Sequence, residues 1–98
     1  MWCGAGRVPS VQRPKGGAAS VAREFGDRVR RQREALTIDD RPVSQERLAE
    51  RAGLHRTYVG HVERGEVNPA LWNVVRLAAA LDVDPSVLVT GLRPEPPA

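Results

Sequence analysis

The chain is predicted to be an all-α domain of five helices, and three observations carry that prediction. Apolar residues recur at three- and four-residue spacing from Phe25 to Leu88 without a strand-like alternation of useful length. Helix-stopping glycines and capping residues divide this stretch at regular intervals. With 98 residues and 10.7 kDa there is room for one small core.

Helix 1 is expected from about Ser20 or Val21 to Ala35, with Phe25, Val29 and Leu36 on one side and Arg28, Arg30 and Arg31 on others. TIDDRPV then interrupts the period. Asp39 and Asp40 favour a turn, and Pro42 pushes Arg41 toward an extended conformation. Ser44 is suited to cap helix 2, which carries Gln45 to Arg51 with Leu48, Ala49 and Ala52 as its inner stripe. The reciprocal capping box is incomplete, because Arg47 stands where Glu or Gln would reach back. Gly53 ends that helix.

Helix 3 is expected over Arg56 to Arg64, turning Val59 and Val62 inward, with Gly65 ending it in the left-handed region. Asn68 and Pro69 open helix 4, which runs to about Ala80 and buries Leu71, Val74, Leu77, Ala78 and Leu81. Asp84 followed by Pro85 reads as a cap and first residue of a short helix 5 through Val87 and Leu88. Residues 21–92 thus form the domain. Residues 1–20, with Arg7, Arg13 and Lys15 and no acid, read as a flexible basic arm, and 93–98 as a frayed tail.

Fifteen basic residues against twelve acidic give +3 and a pI near 10.0, which permits a polyanionic partner without naming one. Fourteen of the fifteen are Arg, whose guanidinium fork suits phosphate and guanine edges. Cys3 has no partner thiol for a disulfide or a zinc cluster, and His55 and His61 stand apart from other ligands, so no metal and no cofactor are expected. The longest apolar run, Leu77 to Leu81, is far short of the roughly 20 residues that cross a bilayer, and MWCGAGRVPS lacks a signal peptide's apolar stretch. A cytoplasmic protein is the expectation. Neither a phosphate-cradling glycine loop nor a catalytic grouping is visible, so no enzyme is expected and no catalytic residue is assigned.

The block QERLAERAGLHRTYVGHVER, Gln45 to Arg64, carries the function. Small Ala49 permits a close helix crossing, Gly53 takes the tight turn, and Val59 and Val62 anchor the second helix. The residues between those anchors, Arg56, Thr57, Gly60, His61 and Arg64, must face away, and a small polar surface of this kind fits a major groove. The block itself is only +1, so DNA binding is inferred from facing more than from charge.

From FGDRVRRQRE through SQERLAERAGLHRTYVGHVERGEVNP to LWNVVRLAAALDVDPSVL, the chain resembles the Cro/cI repressor type of helix-turn-helix regulator, the Xre family, over about Phe25 to Leu92. It is similar to small stand-alone regulators that include restriction-modification controller proteins and antitoxins. The resemblance implies a five-helix domain with helix 3 in the major groove, and base contacts at Arg56, Thr57 and His61. Arg56 is also able to contact phosphate, and His61 to donate to a base acceptor, to sit near phosphate or to be merely exposed. It further implies phosphate contacts from Gln45, Arg64 and Asn68, and a role for Tyr58 divided between phosphate and packing. Arg33 and Glu63 match a buried structural pair. Trp72, Leu71, Val75, Val87, Val89 and Leu92 are expected at a two-fold interface, with Trp72 also suited to the core edge or the DNA backbone. The implied activity is sequence-specific binding of double-stranded DNA by a homodimer at a palindromic operator, as a repressor or autoregulator. The alternative is an antitoxin with a protein partner and secondary DNA binding.

Three departures stand out. The link from helix 1 to helix 2 is longer than usual by about four residues, IDDR; His55 replaces the usual Ser or Thr before helix 3; and Ala70 and Asp82 replace the usual Ser and Gly flanking helix 4.

Overall fold

A computed structural model describes residues 13–94; residues 1–12 and 95–98, and with them most of the expected arm and tail, lie outside the described residues. Among the described residues, five helices appear in the expected order: α1 (Gly17–Ala35), α2 (Gln45–Ala52), α3 (Arg56–Glu63), α4 (Leu71–Ala80) and α5 (Pro85–Val89). A two-stranded ribbon, β1 (Thr37–Ile38) and β2 (Arg41–Pro42), joins α1 to α2.

That ribbon corrects the strand-free expectation. Thr37 pairs with Pro42 and Ile38 with Arg41, and Val43 N–H donates to the Leu36 carbonyl at 3.0 Å. Asp39 and Asp40 both take positive φ, 54° and 64°, as a two-residue hairpin loop of the mirror-image type requires. Asp is among the few side chains that enter this region at modest cost. The hairpin also seals the domain: Val43 is buried, and Leu36 and Ile38 pack against the core.

α1 begins earlier than expected, so Gly17–Ser20 belong to the helix and not to a flexible arm. Gly16, at φ 59°, lies just outside it, and Ala18 and Ala19 are strong helix formers. Ser44 caps α2 by accepting from Arg47 N–H at 3.0 Å. His55, which stands in place of the usual Ser or Thr, also caps α3: its Nδ1 accepts from Thr57 N–H at 3.2 Å.

Three helices end in the same double hydrogen bond. Leu54 N–H reaches the Ala49 carbonyl, Glu66 N–H that of His61, and Val83 N–H that of Ala78, at 2.8, 2.9 and 3.0 Å. The left-handed residue in each is Gly53, Gly65 or Asp82, with Asp82 serving where glycine is usual.

α4 starts at Leu71 and not at Asn68, because Ala70 is still extended and its methyl offers no cap. Leu71 is consequently 77% exposed, which corrects its assignment to the core. A first-turn side chain leans back past the helix end, where no core element stands. The core proper gathers Phe25 and Val29 from α1, Leu48 and Ala49 from α2, Val59 and Val62 from α3, Val74, Leu77 and Ala78 from α4, and Leu88 from α5.

Several arginines serve as bolts between elements. Arg51 Nε donates to the Ala80 carbonyl at 2.8 Å, Arg76 Nε to Ala52 at 2.9 Å, and Arg28 Nη1 to Thr90 at 2.6 Å. Each satisfies a carbonyl at a helix C-terminus, where the backbone has no further partner and the dipole favours a cation.

Candidate nucleic-acid interface

The position of α3 is set by a polar lock at its C-terminal end. Arg33 Nε donates to Glu63 Oε2 at 2.7 Å and Nη2 to Oε1 at 3.0 Å, while Arg33 Nη1 donates to the Val43 carbonyl at 3.0 Å. Gln45 Nε2 adds a bond to Glu63 Oε1 at 2.9 Å. One carboxylate therefore ties α1, the segment entering α2, and α3. The Glu63 and Arg33 side chains are 3% and 13% exposed, and the hydrogen bond to Glu63 raises the Arg33 guanidinium above its ordinary value despite burial.

Gly26 sets the spacing of the same crossing. A Cβ there would overlap the Val62 carbonyl and come within 2.9 Å of the Glu63 carbonyl. Only a glycine lets α1 approach the end of α3 this closely. Sequence reasoning missed this residue, since periodicity marks which face is buried and not how near the facing backbone comes.

With its inner side so fixed, α3 turns Arg56 and Thr57 to solvent. They border an open concavity of about 570 Å³ between α3 and the start of α2, which Ser44, Gln45, Gly60 and Arg64 also line. With the Arg47 amide taken by Ser44, the Gln45 and Glu46 amides at the start of α2 are left without an intrahelical acceptor, so this end suits an anion. Gly60 is buried, and a Cβ there would stand 3.0 Å from Arg64 Nη1; its absence gives the Arg64 guanidinium room beside the concavity. Arg56 Nη1 lies 4.0 Å from Glu46 Oε2, both groups well exposed, a pairing that a phosphate or a base edge can displace cheaply.

The other expected contact residues differ in availability. Asn68 is exposed in the turn before α4. Gln45 is half-buried, with one amide hydrogen committed to Glu63. Tyr58 is half-buried against the core, and its hydroxyl accepts from Asn73 Nδ2 at 3.1 Å. His61 is half-buried with Nδ1 2.7 Å from Glu66 Oε1, and Arg64 Nε donates to the same oxygen at 3.2 Å. Glu66 was not anticipated. The only local signal is its place one residue beyond the glycine that ends α3.

Of the expected interface residues, Trp72, Val75, Val87 and Val89 are exposed, whereas Leu92 is half-buried against the chain's own core. Exposed Leu71 joins the first four. Among the described residues, no helix is long and apolar enough to cross a membrane.

The sequence profile described as a helix-turn-helix domain matches residues 24–89. The chain belongs to this helix-turn-helix family. Among curated proteins, this helix-turn-helix chain is similar to the control protein C.SmaI of Serratia marcescens, 51% identical over 55 residues, which are 54% of this chain and 66% of that protein. Among solved structures it is similar to the restriction-modification controller protein C.AhdI from Aeromonas hydrophila, with TM-score 0.64 and 45% identity over 70% of this chain and 97% of that one. It also resembles the P22 c2 repressor protein in complex with a synthetic operator, with TM-score 0.57 and 30% identity over 68% and 94% of the two chains. These relatives are control proteins and a repressor, in accord with the reading of a regulator and not an enzyme.

Proposed function

We propose that this protein is a sequence-specific regulator of transcription that binds a palindromic operator as a homodimer, acting as a repressor or controller of the restriction-modification type. The observation that carries the proposal is the presentation of Arg56 and Thr57 at the exposed start of α3, over a concavity whose other wall is the first turn of α2. Arg56 can donate in a fork to guanine O6 and N7, and Thr57 can offer a hydroxyl or a methyl. In this reading Gln45, Arg64 and Asn68 contact the flanking phosphates, which is supported by Gln45 and Arg64 lining the concavity and by Asn68 being exposed. Similarity to C.SmaI and C.AhdI supports the controller role over that of an antitoxin, and the operator complex of the P22 repressor supports the DNA-facing side.

One α3 spans only a few base pairs, so affinity calls for two copies on half-sites about 34 Å apart. Leu71 and Trp72, 77% and 66% exposed, together with Val75, Val87 and Val89, supply an apolar surface on α4 and α5 for that pairing. A cytoplasmic, nucleoid-bound location follows from the DNA partner. Selection of binding sites from random duplexes with the full chain tests the function. A palindromic consensus is expected, and recovery of random sequence would overturn it.

A further inference from the structure

His61 and Glu66 face each other across the turn that ends α3. Gly65, at φ 72°, folds the chain back so that Glu66 N–H donates to the His61 carbonyl at 2.9 Å, and this brings the carboxylate beside the imidazole. His61 Nδ1 then lies 2.7 Å from Glu66 Oε1. The same carboxylate receives Arg64 Nε at 3.2 Å and stands 3.4 Å from Arg13 Nη1. The His61 hydrogen bond first, then the hydrogen bond from Arg64 and the charges of Arg64 and Arg13, hold Glu66 below the usual carboxylate range against a desolvation that acts the other way.

An ionised carboxylate can only accept. At this separation Nδ1 must carry the proton that the bond needs. Arg64 Nη2, 3.5 Å from Nδ1, is too distant to compete. In the neutral imidazole the proton on Nδ1 leaves Nε2 bare, an acceptor and not a donor.

We propose that Glu66 is a positioning residue for base recognition: by fixing the His61 proton on Nδ1, it makes Nε2 an acceptor that selects an exocyclic amino group, N6 of adenine or N4 of cytosine, in the major groove. This rests on the DNA-reading role of α3 proposed above. The opposite tautomer would donate, and so would favour guanine O6 or N7 or thymine O4. A residue that touches no base thereby sets the sign of the reading at one position of each half-site.

Two measurements on the full chain test this. In mildly alkaline buffer, where imidazoles carry a single proton, ring nitrogen-15 chemical shifts of the free protein should show His61 protonated at Nδ1. Glu66→Ala should lose that preference, and Glu66→Gln, whose amide oxygen still accepts, should retain it. Wild-type His61 protonated at Nε2 would overturn the proposal whatever the DNA results. In site selection in the same mildly alkaline buffer, the wild type should favour adenine or cytosine about fivefold to tenfold at one half-site position. His61→Ala should flatten that position alone, and Glu66→Ala should flatten or reverse it while leaving the rest of the consensus. A palindrome unchanged by His61→Ala would overturn this proposal only; a wild-type chain that selects no sequence would overturn the regulator reading as well.

Discussion

Arg33 and Glu63, thirty positions apart, meet in a two-pronged ion pair at 2.7 and 3.0 Å at the C-terminal end of α3, with side chains 13% and 3% exposed. Gln45 completes the coordination of the carboxylate from a third helix. The orientation of α3 therefore depends on a charged group that cannot be removed without leaving its partners unsatisfied.

Replacing Glu63 with Ala should cost about 3–5 kcal/mol, because the Arg33 charge stays buried without its counterion. Urea unfolding would read this as a fall in midpoint at unchanged slope. Removing both charges, in Arg33→Met with Glu63→Leu, should recover most of the loss. A single substitution that left the midpoint unchanged would show that the pair contributes nothing to orientation.

Gly26→Ala should destabilise at the upper end of the roughly 1–3 kcal/mol range for overpacking, despite alanine's better helix propensity. The added methyl meets the Val62 and Glu63 carbonyls, which are backbone and cannot swing aside. Because the displaced element is α3, DNA affinity should fall even under conditions where the variant stays folded. Thermal unfolding and a binding titration separate the two effects.

Much of the helical frame was legible because its signals are local. Ser44, Asp84, Gly53 and Gly65 act on backbone groups within a few residues of themselves, and each does what its chemistry predicts. The Arg33–Glu63 pair was visible only through resemblance. The hairpin escaped because two-residue strands are too short to show alternation, and Asp39–Asp40 signal a turn without specifying what flanks it. The bolts Arg51 to Ala80 and Arg76 to Ala52 join residues 29 and 24 apart, distances over which no sequence period operates. The same bonds explain why net charge was a poor guide to DNA binding. Arg28, Arg30 and Arg31 meet Glu24 or Asp27 on their own helix, and Arg33, Arg51 and Arg76 hold the fold together.

Acid should weaken the start of α5 through Asp84. Its carboxylate accepts from Ser86 N–H at 2.8 Å, and that bond lowers its pKa in the folded chain. A lowered folded value means the contribution is present above the unfolded value of about 3.9 and is lost as pH falls through the folded one. Asp84→Asn keeps an acceptor without titrating there, so its stability should decline less steeply than the wild type's at the acid end. Parallel acid curves for the two would contradict the assignment.

Trp72→Ser should weaken self-association by at least about 2 kcal/mol, as expected for an aromatic anchor at an interface centre. Stability of the monomer should change little, since Trp72 is 66% exposed and Arg76, which sits over its ring, keeps its bond to the Ala52 carbonyl. Sedimentation equilibrium at micromolar concentration reads both chains. A wild type that remains monomeric both free and on DNA would contradict the dimer.

In the proposed function, α3 reads bases through Arg56. The most direct test is a binding titration of wild type and Arg56→Ala on the selected palindrome and on a random duplex at one salt concentration. The variant should lose about 1–3 kcal/mol on the palindrome per contact and almost nothing on the random duplex, with preference flattened at a single half-site position. Equal losses on both duplexes would assign Arg56 to phosphate, and an unchanged palindrome affinity would contradict the placement of α3 in the groove.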